Sequence, residues 1–470
     1  MKKTYVVGGG GGGIASALLA SIRGDNVTLF EAHENLGGCA SWFDRGPFSF
    51  DVGATTLSGM GPGEPLGKLF NLIGEQPQLT VVNPGIVFHL SSGDVLSYYK
   101  DFDLWMKELE RVFPNLNHRP FWEKVFEINS KAWGLLDNLS SFPFSTIEDF
   151  FQILKAPQYF SLYPYLLVST EMMLKRYNLD HPLYNELLNG ILLISAQTEA
   201  RNLPFLVGAM GLSYPRETFA PVGGMKGFMQ FLEKVCHEKN IQVFKSAKVE
   251  KIAGHDLVLT DGRSFRGDEF ILNLPCWNIP ALFPEDKNAF HLERAEEKSA
   301  WGAFVVYLGI KANIRDSYHQ IHLNHPLVRN YFASFSIPED LKRAPTGWQS
   351  VTISTHIDAA SWFEMEKVEY REAKQEIMHL ILEDFKKRFD IQETKYVTGG
   401  TPKTFERYTG RHLGYVGGLP FLFGSNPWRL IGHKTPISNV FRVGDTTFPG
   451  QGVVGVVAGA LALHKEMIKK

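Results

Sequence analysis

Between an apolar run and a helix-forming run, the chain carries six glycines in a row: "YVVGGGGGGIASALLASI", residues 5–22. A dinucleotide-binding turn needs glycine at i, i+2 and i+5 between a strand and a helix, and in a run ending at Gly13 only Gly8, Gly10 and Gly13 fit. Gly8 permits the tight turn, Gly10 lets backbone approach a pyrophosphate, and Gly13 lets helix and strand pack closely. The helix start then offers amide hydrogens and a positive dipole end to phosphate oxygens. The next apolar run, "NVTLFE" (26–31), ends on Glu31, 18 residues past Gly13, where a carboxylate binds ribose hydroxyls. An acid there suits FAD or NAD and disfavours a 2'-phosphate.

Other chemistry is thinly represented. No G-x-S-x-G nucleophile elbow occurs, and no Ser-His-Asp, Cys-His or paired-carboxylate arrangement stands out. "GPGEPLGK" (61–68) imitates a P-loop, but Pro62 occupies the first glycine position and no Ser or Thr follows Lys68. In "HQIHLNH" (319–325), His319 and His322 would point to opposite faces of a strand, so no metal site is expected. If a bound dinucleotide performs the redox step, the protein need only position a substrate carbon against it.

The elements that must hold this turn are those of a two-domain soluble protein, as 470 residues exceed one simple core. A net charge of -2 gives no electrostatic reason to expect nucleic acid. Three scattered cysteines (Cys39, Cys236, Cys276) build neither a disulfide framework nor a zinc set, which suggests a reducing, cytoplasmic setting. The glycine-rich start argues against a secretion signal, and no run reaches the roughly 20 apolar residues of a spanning helix.

The string Gly8-x-Gly10-x-x-Gly13, Ala17, Gly24, Val27, Glu31 and Gly37-Gly38 resembles the FAD-binding signature of the flavin amine oxidase and phytoene desaturase superfamily. NAD-binding domains normally lack the Gly37-Gly38 pair at this distance. Where the family often has Arg after those glycines, this chain has Cys39, read as a small buried thiol. The resemblance extends through Gly53 and Ala54 of "FSFDVGATTLSG" and through Val249, whose counterpart holds the adenine side by its backbone. It continues to Gly444 and Asp445, on the ribityl and pyrophosphate region, and to Gly452, Val453 and Val454, facing the flavin's pyrimidine edge. A helix start there would stabilise the charge of a reduced flavin. The implied cofactor is FAD. The implied fold is an α/β, two-domain one: a Rossmann-like FAD-binding domain of three separated segments (1–67, 216–279, 431–470) and a substrate domain (68–215, 280–430) of helical cap plus antiparallel sheet.

"GTPKTFERYTGRHLGYVGGLPFLFG" (400–424), "KTPISNVFRVGDTTFPGQG" (434–452) and "PVGGM" are similar to the carotenoid isomerase and carotenoid desaturase branch, neighbour to retinol saturase. That branch implies a long apolar polyene in a tunnel ending at the flavin, reoxidised by a quinone or oxygen. Polyene binding rests on area burial, about 25 cal/mol per Å², which suits a chain with 13% aromatic residues. Arg407, Arg411 and Tyr415 are the catalytic candidates, since a cation or phenol can stabilise charge during hydride or proton transfer. Against this, Arg407 and Arg411 could merely pair with acids such as Glu406. Asp51, in "FDVG", suits either a loop-holding role or the chemistry. The apolar helices around 150–195 suit either peripheral membrane docking or a fully buried cap. Three alternatives stay open: a flavin amine oxidase, a retinol-saturase-like reductase, and a flavin-free lipid-binding escort protein.

Overall fold

The computed structural model describes residues 1–138, 156–286, 290, 300–425 and 430–468. Five short apolar runs pair into one wholly parallel sheet, in the order Val440–Arg442, Glu269–Leu272, Lys3–Val7, Asn26–Phe30, Gln242–Phe244. A strand's period of two gives this sheet two buried faces. Val6, Leu29, Ile271 and Phe441 pack on helices Gly11–Ile22, Pro65–Ile73, Gly224–Glu238 and Gly452–Ile468. Tyr5, Val7, Phe30, Phe270 and Leu272 face the other way, onto the antiparallel meander Val249–Ala253, Asp256–Leu259, Ser264–Arg266. Beginning, middle and end of the chain are thus laced into one sheet.

A second sheet of seven strands has the order Glu393–Gly400, Gly302–Lys311, Trp348–Ile357, Asn330–Phe335, Tyr318–His322, Ile86–His89, Val95–Tyr98. The expected antiparallel sheet contains one parallel pair, Tyr318–His322 with Ile86–His89. The reason is topological: that neighbour arrives from the distant 68–215 segment rather than through a hairpin. One face, with Phe304, Val306, Ile321, Tyr331, Ile353 and Phe335, packs on Ile377, Ile381 and Phe385 of the long helix Lys367–Arg388. The opposite face is left to line a cavity.

Helices Phe102–Val112, Arg119–Asn138, Thr170–Arg176, Pro182–Ala196 and Phe205–Ser213 form a cap with its own core. Two of its buried polar groups find partners: Trp122 donates to the Tyr184 hydroxyl at 2.8 Å, and Tyr98 donates to the Leu212 carbonyl at 3.0 Å, whereas Trp105 Nε1 is buried without one. Of the apolar stretch 150–174, residues 150–155 lie outside the described residues. Among the described residues no helix is long and apolar enough to cross a membrane.

Candidate functional site

The glycine run folds as strand, turn and helix. Gly8 has φ +99°, a backbone that favours glycine, and a Cβ on Gly13 would lie 1.9 Å from the Gly8 carbonyl oxygen. Gly13 is therefore fixed by packing and stays off the cavity wall. The first intrahelical bond runs from the Ile14 amide to the Gly10 carbonyl, so the amides of Gly11 and Gly12 are orphan donors of the helix start, and both residues line the cavity. Glu31 closes the next strand with its carboxylate accepting from the Gly9 and His33 amides, each at 2.7 Å. Burial pushes its carboxyl up from the ordinary carboxylate range, against the pull of those amides.

One cavity of about 1910 Å³ joins these groups to the rest. Gly8, Gly10, Glu31 and Val249 lie on its wall, followed by Gly37, Gly38, Gly53, Ala54, Gly444, Asp445, Gly452, Val453 and Val454. The same cavity continues beneath the cap, against Trp133, Leu136, Leu193, Ile194, Leu206 and Met210. The seven-stranded sheet forms its floor through Ala303, Tyr307, Gln320, Phe332, Ser354 and His356.

Several observations test whether these residues fit FAD. The Gly10 N-cap carries no side-chain hydrogen bond, leaving the first helix start open to an anion. A Cβ on Gly452, at the start of the last helix, would meet nothing within 4 Å. The Gln451 amide nitrogen, on the wall beside it, is buried without a partner. A half-buried carboxylate, Glu31, stands after the second strand, and two open helix starts face the cavity. The residues fit the group.

Arg411 donates from Nη2 to Asp445 Oδ2 at 2.7 Å and from Nε to the Tyr415 carbonyl at 2.5 Å. Burial opposes its charge, but Asp445 together with Cys39 and Cys276 outweighs that and raises its pKa further. Burial pushes the neighbouring Cys39 thiol up, partly countered by Arg411.

The other two catalytic candidates are not on the cavity wall. Arg407 is exposed on helix Pro402–Thr409, which turns Thr404, Phe405 and Tyr408 to the cavity; its guanidinium lies 5.6 Å over the Tyr408 ring. Tyr415 is buried behind the wall against Trp277, ring centroids 5.1 Å apart. Asp51 also lies off the wall, pairing with Arg343 at 2.8 Å and accepting from the Met225 amide. It holds the start of helix Gly224–Glu238.

Sequence reasoning missed Asn273 and the pair Gln197–His356. Asn273 ends the strand Glu269–Leu272, donates to the Gly8 carbonyl at 3.2 Å and would crowd a Cβ on Gly10, Gly12, Gly13 or Gly444. A polar residue directly after "FIL" is its one local signal. His356 Nε2 lies 2.8 Å from Gln197 Oε1, and burial holds its pKa down at about 4. Nothing local in the sequence marks that pair.

The family model for flavin containing amine oxidoreductases matches residues 12–462. Prolycopene isomerase 1, chloroplastic, of an Oncidium hybrid cultivar is 24% identical, over 98% of this chain and 83% of its own length. The lycopene-forming phytoene desaturase of Pseudescherichia vulneris is 25% identical, over 100% and 99%. The solved structure of an oxidoreductase from Methanosarcina mazei superposes with a TM-score of 0.64 at 17% identity, covering 100% of both chains, and shares the fold. The chain belongs to the flavin containing amine oxidoreductase family and is an FAD-dependent oxidoreductase.

Proposed function

We propose that this oxidoreductase acts on a long apolar polyene of carotenoid type, as a desaturase or isomerase. One observation carries the reading: a single cavity of about 1910 Å³ runs from the phosphate turn to an apolar chamber under the cap. Ligand pockets are commonly about 300–1,000 Å³, so this one has room for the cofactor and a second large ligand. The chamber wall of Trp, Leu, Ile and Met side chains suits a ligand bound by area burial rather than hydrogen bonds. The similarity to a prolycopene isomerase and a phytoene desaturase supports the same class.

When bound, FAD supplies hydride exchange at its N5 atom. In this reading Gly8, Gly10 and the amides after them hold its pyrophosphate, Glu31 its ribose and Val249 its adenine side. Gly13 supports the turn, while Gly37, Gly38, Gly53 and Ala54 allow close passage of the chain. Asp445 and Gly444 serve the ribityl region, Gly452, Val453 and Val454 the pyrimidine edge, and Arg411 orients Asp445. Side chains of the cap exclude water and align one C–C bond with the cofactor. We place the protein at a membrane surface that supplies the polyene, with Phe160, Leu167 and Met172 as exposed apolar contacts. Liposome flotation tests that part: protein left in the soluble fraction counts against it.

The deciding experiment incubates the purified yellow protein with several carotenoid precursors, with oxygen or anaerobically with a quinone, and separates the pigments. A red-shifted product means added double bonds, a mass-neutral shift means isomerisation, and a blue-shifted, heavier product means saturation. Peroxide released from an amine panel, with every polyene unchanged, sinks the reading in favour of an amine oxidase.

A further inference from the structure

His356 and Gln197 form a hydrogen-bonded side-chain pair on the chamber wall, joining the sheet floor to the end of cap helix Pro182–Ala196. The amide orientation follows from its surroundings. Gln197 Nε2 faces the Ile194 carbonyl at 3.5 Å, which leaves Oε1 toward His356. An amide oxygen only accepts, so His356 must donate from Nε2, and in the neutral ring Nδ1 keeps a bare lone pair. The only other imidazole on the cavity wall, among the described residues, is His33 beside Glu31.

This geometry is held rigidly. Gln197 has φ +57° (unusual for a side chain of its size), and Trp301 fixes it by donating from Nε1 to its carbonyl at 2.8 Å. The Trp301 ring stands edge-on to His356 with centroids 5.9 Å apart. The "VGG" of 416–418 then ties the pair to the cofactor end. A Cβ on Gly417 would meet Gln197 Oε1 at 2.5 Å, and one on Gly418 would meet the Asp445 carbonyl oxygen at 2.0 Å. Two consecutive residues therefore touch the imidazole's partner on one side and Asp445 on the other.

Resting on the polyene reading, we propose that His356, oriented by Gln197, is the proton acceptor of the chamber. In a desaturation, the FAD held by the glycine turn and the last helix would supply the acceptor for hydrogen leaving one substrate carbon with both bonding electrons. The neighbouring carbon gives its hydrogen as a proton to His356 Nδ1, and that C–H pair becomes the new double bond. The acidity of a C–H next to electron-deficient carbon makes a weak base sufficient. Burial keeps the ring uncharged at neutral pH, so the acceptor is ready before substrate enters. No charged group acts on it: Gln197, Trp301 and Ala303 face it, burial is the sole cause of its lowered pKa, and Glu199 pairs with Arg201 and Arg329, and Glu186 with His322.

The test compares the wild-type holoprotein with His356→Gln and Gln197→Glu. Ring-nitrogen NMR of the wild type, assigned by the signals lost in His356→Gln, is expected to show Nδ1 unprotonated and Nε2 protonated at pH 7. Turnover of a polyene by His356→Gln should fall about 100-fold or more, with polyene affinity (read by tryptophan quenching) unchanged within a few-fold. Gln197→Glu should move the acid limb of the rate profile up from about pH 4 toward neutrality, because a carboxylate favours the imidazolium. A merely structural role would leave that limb in place. An Nδ1-protonated ring, full turnover by His356→Gln, or an unmoved acid limb overturns the proposal. A wild type that binds and turns over no polyene instead defeats the functional reading on which it stands.

Discussion

The guanidinium of Arg411 lies 2.7 Å from the carboxylate of Asp445, 34 residues further along the chain. Its other contact, to the Tyr415 carbonyl, uses a different nitrogen, so one planar side chain fixes both the turn that follows it and the acid on the cavity wall. The two side chains are only 12% and 15% exposed, so neither charge is well hydrated without the other.

Arg411→Met should therefore strand a buried carboxylate. Breaking such a pair costs about 3–5 kcal/mol, and the expected result is a lower melting temperature with flavin lost during purification. Arg411→Lys keeps the charge but cannot make both contacts, and should retain an intermediate share. Flavin-to-protein absorbance ratios check the order. Equal flavin content in all three proteins would separate Arg411 from the cofactor.

Two glycines on the cofactor side of the fold should respond differently to a methyl group. Gly13→Ala drives a Cβ to 1.9 Å from a backbone oxygen, a clash that no side-chain movement relieves. Gly63 also lines the cavity, yet a Cβ there meets nothing within 4 Å. Colourless or insoluble Gly13→Ala beside normally yellow Gly63→Ala is expected. A yellow, stable Gly13→Ala would refute the packing.

Acid should weaken the fold through its buried imidazoles. His89 and His319 lie 3.1 Å apart, and burial lowers their pKa values from 6.5 to about 4 and about 3. The unfolded chain takes up these protons near pH 6.5 while the folded chain does not. Their stability is full above that pH and is lost as pH falls toward 4, at about 1.4 kcal/mol per pKa unit for each group at most. Melting temperatures at pH 7 and 5 should differ by less in His319→Gln than in wild type. An equal difference would exclude the pair as the source.

The phosphate turn was legible because its signals are local. Glycine spacing, flanking runs and Glu31 all lie within 31 residues, and each strand of the parallel sheet carries an apolar core visible in sequence. The strands Ile86–His89 and Val95–Tyr98 are harder to see: they are four residues each in a largely helical stretch, and the first joins the sheet through a partner more than 200 residues away. Where Arg407 points depends on helix phase that short-range spacing does not give: Pro402–Thr409 brings positions 404, 405 and 408 to the cavity wall and leaves 407 exposed off it. His356 and Gln197 meet across 159 residues, so only tertiary folding creates the pair.

The strand Val440–Arg442 sits beside Glu269–Leu272, and the helix after it packs along the one that follows the first turn. During synthesis the glycine turn and its helix thus leave the ribosome long before Glu269–Leu272 and the helix Gly452–Ile468 exist. Until Val440–Arg442 and the helix Gly452–Ile468 emerge, the nascent sheet has an unpaired edge along Glu269–Leu272 and an uncovered apolar helix face, the exposure that draws chaperones or aggregation. Loading of the cofactor must then wait for the strand Val440–Arg442 and the helix Gly452–Ile468, and a chain cut ahead of Val440 should purify colourless.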